Sequence, residues 1–228
     1  MDIKNKVKKW LDSLAVSGTP DEYEVKNLLK EVGIAVPPGK RFGAKEKISV
    51  PEFNPPFVLK VCSCDVMHKT DLGGVVLNIA RKSLEKAADE MREKFPGQML
   101  LVEEQVSSEN IEFIVGGLVD PVFGLSIMIG VGGILTELYK DVTFRLIPCS
   151  REEAGRMIDE LKISPIFEGF RGMEINRAGF VDLIVTVSDL ITTLGDRFDQ
   201  LDLNPVVYSN NRFIALDAKL IMRDTSVS

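Results

Sequence analysis

Histidine is almost absent from this chain: its 228 residues contain one, His68. A metal centre built from several histidines is therefore excluded, and so is a Ser–His pair that draws on another histidine. Cysteine is scarce as well. Cys62, Cys64 and Cys149 form an odd set that supports no disulfide framework and points to a reducing, cytoplasmic compartment. The C-x-C spacing of Cys62 and Cys64 has no second pair to complete a zinc site, so both read as small strand residues. No run of about 18 apolar residues occurs, so no membrane span is expected. The opening residues, MDIKNKVKKWL, lack the apolar stretch of a secretory leader. Basic residues are outnumbered, 28 against 34 acidic, for a net charge of −6. That balance argues against a nucleic-acid partner bound through phosphate neutralisation.

What is present is an ordinary globular mixture, 45% hydrophobic and 27% charged. Val7, Trp10, Leu11 and Leu14 recur at helical spacing and predict a short docking helix within residues 1–19. Thr19-Pro20-Asp21-Glu22 predicts a helix start with Thr19 as N-cap and Glu22 at N3. The stripe Val25, Leu28, Leu29, Val32 continues that helix, and Gly33 ends it. Apolar runs at 57–61, 75–79 and 99–102 predict strands, with a helix over 84–95 between the last two. In the second half, strands are predicted at 111–119, 125–129, 142–147, 200–208 and 212–220. Helices capped by Ser150 and Asn176 lie among them. Strands and helices mix without strict alternation, which predicts an α+β protein of two lobes, 20–105 and 106–228.

The C-terminal hairpin offers the sharpest chemistry. Asn210-Asn211 tolerates the positive φ of a type I′ turn. With that turn, Val206 opposes Ala215 and Asn204 opposes Asp217, with Asp202 on the same face. Leu203, Pro205, Val207, Ile214, Leu216 and Ala218 form the expected core side. Three oxygen-bearing side chains gathered so either hold Mg²⁺ or make a solvated end to the hairpin. His68 lies in a polar stretch between two strands, and reads as a nucleophile toward phosphorus or as a surface residue. Lys60, within an apolar strand, either snorkels at an edge or directs its ammonium toward an anion. The glycine pairs at 73–74 and 132–133 match neither the P-loop nor the dinucleotide fingerprint.

Phe57-Val58-Leu59-Lys60-Val61 followed by His68-Lys69-Thr70-Asp71-Leu72-Gly73-Gly74 resembles a known family. It is similar to the β subunit of ADP-forming acyl-CoA (acetyl-CoA) synthetases, ATP-grasp proteins related to the succinyl-CoA synthetase β subunit. The likeness continues through Asp120-Pro121, Phe123-Gly124, the stretch 130–142, Phe144-Arg145-Leu146 and Asp202-Leu203-Asn204-Pro205-Val206, and closes at Leu216-Asp217-Ala218. It covers about residues 20–220. Val119 stands where related chains carry a basic residue, and Val131 where they carry leucine.

The resemblance implies an ATP-grasp fold whose two lobes hold ADP or ATP between them. It implies that Lys60 contacts the nucleotide phosphates and that the strand end at Val102-Glu103-Glu104 is an interlobe hinge that holds adenine by backbone groups, with Glu103 as a partner. Glu112 is the acidic residue following that hinge. Asn204 and Asp217 are the implied Mg²⁺ ligands, with Asp202 nearby. His68 matches a histidine that is phosphorylated and relays the group from a CoA-binding α subunit, which has its own phosphohistidine, to Mg·ADP. An α2β2 heterotetramer acting as an acid–thiol ligase is implied. The alternatives are an ATP-binding regulatory module and a carboxylate–amine ligase of the same fold, both without a histidine carrier.

Overall fold

The structure is a computed structural model and describes residues 2–14, 19–63, 69, 72–107, 111–133, 141–172 and 175–223. His68, the expected phosphoryl carrier, lies outside these residues. Two compact units divide the chain: one comprises Asp21–Glu24 and Pro37–Ser107, the other Met1–Pro20, Val25–Val36 and Ser108–Ser228.

The smaller unit is a four-stranded antiparallel sheet. Its strands are β1 (Gly39–Phe42), β2 (Phe57–Cys62), β3 (Val75–Ile79) and β4 (Met99–Glu104), in the order β1-β4-β2-β3. Helix α3 (Leu84–Lys94) covers one face. Phe57, Leu59 and Val61 alternate toward it and join Leu84, Ala88, Met91, Leu100 and Val102 in a core. The alternate residues Val58, Lys60 and Cys62 are buried on the opposite face, so β2 is closed on both sides. A strand buried on both faces reads as an unbroken apolar run, and Lys60 is its one exception.

The larger unit is a six-stranded antiparallel sheet of β5 (Glu112–Asp120), β6 (Gly124–Val131), β7 (Val142–Leu146), β8 (Phe198–Ser209), β9 (Arg212–Ala215) and β10 (Lys219–Met222). The order is β10-β8-β5-β6-β7, with β9 also paired to β8. Helices α4 (Arg151–Glu160) and α5 (Arg177–Leu194) pack on each other beside it. The Ser150–Glu153 capping box and the Asn176 cap form as expected. By length and composition α5 passes as a membrane-crossing helix. Its stripe of Phe180, Ile184, Val187, Ile191 and Leu194 is buried in the core instead.

Helix α1 (Ile3–Ser13) packs on α5 through the larger core, which takes in Val7 and Trp10. Helix α2 (Glu22–Val32) places Val25, Leu28 and Leu29 in that core too. The units therefore differ from the sequential boundaries 1–19, 20–105 and 106–228: residues 1–20 and 25–36 belong with the C-terminal half. The physical reason is burial, since the helical stripes read from sequence find their apolar partners there. The start of α2 also differs. Its cap is Asp21, whose carboxylate accepts from Glu24 N while Glu24 accepts from Asp21 N. The capping box sits two residues beyond the Thr19–Glu22 frame, and Glu22 is released from capping duty.

Candidate functional site

In the smaller unit, four charged side chains meet under β2. Lys60 Nζ lies 2.7 Å from Glu22 Oε1 and 3.0 Å from Glu103 Oε2. The other oxygen of Glu22 receives Lys69 Nζ at 3.0 Å. The side chains of Glu22, Glu103 and Lys60 are 1%, 3% and 8% exposed. Formal charge cancels, as burial demands. Asp21, also buried, pairs with Arg41 beside them. Burial, reinforced by the negative charge of Asp21, pushes the Cys62 thiol up to about 12, so it is neither a thiolate nor a nucleophile at neutral pH.

Lys60 thus points its ammonium away from the apolar core and into a charged cluster, which settles the snorkelling alternative against an edge position: β2 is an inner strand. Glu103 stands in β4 between Gly39 of β1 and Val58 of β2, inside the ladder, and its carboxylate serves Lys60. The strand leaves the sheet only beyond Glu104. Glu22 was missed by sequence reasoning because it was assigned to the cap. The signal that could have found it was Lys60 itself, since a lysine in a doubly buried strand requires buried carboxylates.

In the larger unit the hairpin arithmetic is met at the turn. Asn210 and Asn211 have φ of 51° and 59°. Tyr208 opposes Phe213 and Val206 opposes Ala215. The second strand is not continuous: it breaks at 216–218 between β9 and β10. Beyond the break Asp202 pairs Lys219 and Leu201 pairs Leu220, in the same register. Asn204 and Asp217 occupy matching places in the interval between. The carbonyl of Leu216, displaced from the ladder, accepts from the buried Lys26 Nζ at 2.7 Å, and Leu216 N donates to Pro205 O at 2.9 Å.

The core side differs from expectation. Leu201, Leu203 and then Val206 face the helices, with Phe213, Ala215 and Ala218, while Val207 and Ile214 are buried apart from that cluster. The cause is one extra residue in β8. Phe113 pairs Val206 but Val115 pairs Leu203, so the alternation changes phase around Asn204-Pro205. Pro205 accordingly sits at a bulge, where its missing N–H does no harm. Asn204 is exposed there, and Asp202 and Asp217 are half-buried.

Burial raises the Asp202 carboxyl above its ordinary value, the Asp217 carboxylate raises it further, and Lys219 offsets part of this. Two carboxylates in mutual repulsion beside an exposed amide oxygen are a hard-oxygen donor set, so these residues fit a divalent cation such as Mg²⁺. Among the described residues no three of His, Cys, Asp and Glu cluster, so the amide of Asn204 is needed to reach three donors.

Glu112 begins β5, opposite Val207. Its carbonyl accepts from Gly132 N at 2.6 Å, and a Cβ on Gly133 (φ 72°) would lie 2.8 Å from its Oε2. The glycine cluster is thus shaped by the close approach of Glu112. Arg145 is tied to Glu160 and is held above its ordinary value by that hydrogen bond.

The family model described as an ATP-grasp domain matches residues 15–222. The chain is 34% identical over 234 residues to the β subunit of acetate–CoA ligase [ADP-forming] I from Pyrococcus furiosus, spanning 97% of this chain and 100% of that one. It superposes with TM-score 0.78 at 31% identity, covering 97% of this chain and 100% of the other, on a solved chain from Ca. Korarchaeum cryptofilum. That structure is of a dinucleotide-forming acetyl-coenzyme A synthetase 1 with coenzyme A and Mg-AMPPCP, its phosphohistidine segment pointing towards the nucleotide binding site. A second structure of that synthetase, with TM-score 0.77, 28% identity and the same coverage, holds a phosphorylated phosphohistidine segment in a site I orientation. The chain belongs to the ATP-grasp family, in the group of β subunits of ADP-forming acetate–CoA ligases.

Proposed function

We propose that this chain is the nucleotide-binding subunit of an ADP-forming acyl-CoA synthetase and carries a phosphoryl group on His68. The observation that carries the reading is the end-to-end match to a β subunit, 97% of this chain against 100% of the relative. The partner is a CoA-binding α subunit with a phosphohistidine of its own, assembled as α2β2 in the cytoplasm. It forms an acyl phosphate from acyl-CoA and phosphate, and its histidine passes the phosphoryl group to His68.

In the nucleotide half-reaction the P–N bond to His68 breaks as a terminal phosphate oxygen of ADP forms the new P–O bond. The electron pair returns to the imidazole nitrogen, and the step runs equally in reverse. Such transfers depend on positioning and charge neutralisation more than on covalent chemistry by the protein. Lys60 supplies a fixed ammonium for the phosphates, with Glu103 and Glu112 in the nucleotide-binding group. Asn204, Asp217 and Asp202 hold Mg²⁺, which when bound offsets phosphate charge.

The test is transfer of γ-labelled phosphate from Mg·ATP to the chain, with the α subunit supplied and His68→Ala alongside. Acid-labile, alkali-stable label that disappears in the variant is expected. ATP binding without label would replace the relay with the binding-module reading. Acyl-CoA synthesis that survives His68→Asn would point to a ligase without a histidine carrier.

A further inference from the structure

The phosphoryl relay proposed above leaves Glu22 without a task, yet Glu22 is the most buried charge in the smaller unit's cluster, its side chain 1% exposed. We propose that Glu22 is a positioning residue for phosphoryl transfer: one buried carboxylate holds the phosphate-binding Lys60 and also anchors Lys69, the residue that follows His68.

The geometry gives each oxygen its own partner. Oε1 takes Lys60 at 2.7 Å and Oε2 takes Lys69 at 3.0 Å. A carboxylate that binds two ammonium groups through separate oxygens fixes the distance between them. Helix capping does not require Glu22, because Asp21 and Glu24 cap α2 reciprocally. Stability is a weak reason for the arrangement, since buried ion clusters are commonly no better than apolar side chains of the same volume.

Lys69 is fixed at its main chain too. Its carbonyl accepts from Gly74 N at 2.6 Å, and Gly74 O accepts from Val61 N at 2.9 Å, one residue from Lys60. A Cβ on Gly74 would lie 3.1 Å from the Lys69 carbonyl, so glycine permits this close approach. Lys69 is therefore held to β2 by its backbone and to Lys60 by its side chain. His68 is the adjoining residue, one Cα step of about 3.8 Å away. An anchor on Lys69 would restrict the reach of the imidazole joined to it. The side-chain half of that anchor runs through Glu22.

This inference rests on the reading of His68 as carrier and Lys60 as phosphate ligand, and its test separates the two. Single-turnover labelling of the complete complex with γ-labelled Mg·ATP is compared for the wild type, Glu22→Gln, Lys69→Met and the double variant, with ADP affinity measured by calorimetry. Glu22→Gln keeps the shape, removes the charge and replaces one of the two acceptor oxygens by an amide NH2 that cannot accept from a lysine. Expected is at least a tenfold slower transfer at saturating nucleotide with ADP affinity changed less than threefold. Lys69→Met should slow transfer too, and the double variant should be no slower than Glu22→Gln, because the Lys69 arm runs through Glu22. Transfer at the wild-type rate in Glu22→Gln, a loss wholly in affinity, or losses that multiply in the double variant would overturn the proposal. If Glu22→Gln does not fold, Lys69→Met carries the test alone, and a wild-type rate there overturns it. A wild type that acquires no label on His68 removes the relay and the positioning role together, whereas label at normal rates in every variant removes only the latter.

Discussion

Lys60 donates to Glu22 over 2.7 Å across 38 residues of chain, and both side chains are withdrawn from water. Removing the cation leaves Glu22 and Glu103 facing each other without it. Lys60→Met is therefore expected to destabilise the protein by ~3–5 kcal/mol, the usual penalty for breaking a buried pair from one side. Adding Glu103→Gln should recover part of that loss. Urea denaturation of the single and double variants measures both, and a Lys60→Met midpoint equal to wild type would contradict the buried ion network. Phosphoryl labelling should be lost in both variants.

The metal-site reading makes a separable prediction. Asp217→Asn and Asn204→Ala should each raise the Mg²⁺ concentration needed for half-maximal labelling by roughly tenfold or more, the size of loss expected when a ligand of a metal site is altered. EDTA should abolish labelling of the wild type and excess Mg²⁺ restore it. Unchanged Mg²⁺ dependence in both variants would move the cation elsewhere.

Lys26 supports the same region from behind. It is 4% exposed and satisfies the Leu216 carbonyl at the break in the second hairpin strand. Lys26→Met removes that donor, and a hydrogen bond from a charged group contributes about 1.5–3 kcal/mol. The expected result is a lower thermal midpoint together with a raised Mg²⁺ requirement, since Asp217 follows Leu216 directly. Lys26→Arg should recover more of the Mg²⁺ response than Lys26→Met. Equal Mg²⁺ titrations for all three proteins would confine Lys26 to a structural role.

How much of this was legible in the sequence depends on the range of the interaction involved. The hairpin was, because Asn210-Asn211 and the strand alternation are local, and the register read from them holds at Val206–Ala215 and again at Asp202–Lys219. The change of core face was not, because it arises from an extra residue of β8 measured against β5, a strand some ninety residues earlier in the chain. Helices α4 and α5 announced themselves by Ser150 and Asn176, whose caps act over three residues. The lobe assignment of α1 and α2 was hidden for the opposite reason. An amphipathic stripe states that a helix must bury one face, and says nothing about which sheet receives it. Glu22 shows both limits at once. Its neighbours Asp21 and Glu24 offer a better local cap, and its own partners lie 38 and 47 residues away.

Cys62 supplies a pH prediction whose sign follows from linkage. Burial first, and the carboxylate of Asp21 second, raise the thiol from an ordinary 9.0 to about 12. An acid whose folded pKa exceeds its unfolded one contributes full stability below the unfolded value and loses it as pH rises toward the folded value. The window is therefore pH 9 to 12. At pH 10 the unfolded thiol is mostly ionised while the native one is not, which costs about 1.4 kcal/mol relative to pH 7. Lysines and tyrosines titrate over the same range, so the informative quantity is a difference. Cys62→Ala changes absolute stability by altering the packing under β2, but its stability should fall less steeply between pH 8 and 10 than that of the wild type. Native protein should also resist iodoacetamide at Cys62 at pH 8 and react there once unfolded in urea. Parallel pH profiles for the two proteins, or rapid alkylation of the native chain at Cys62, would show that the thiol is neither buried nor raised.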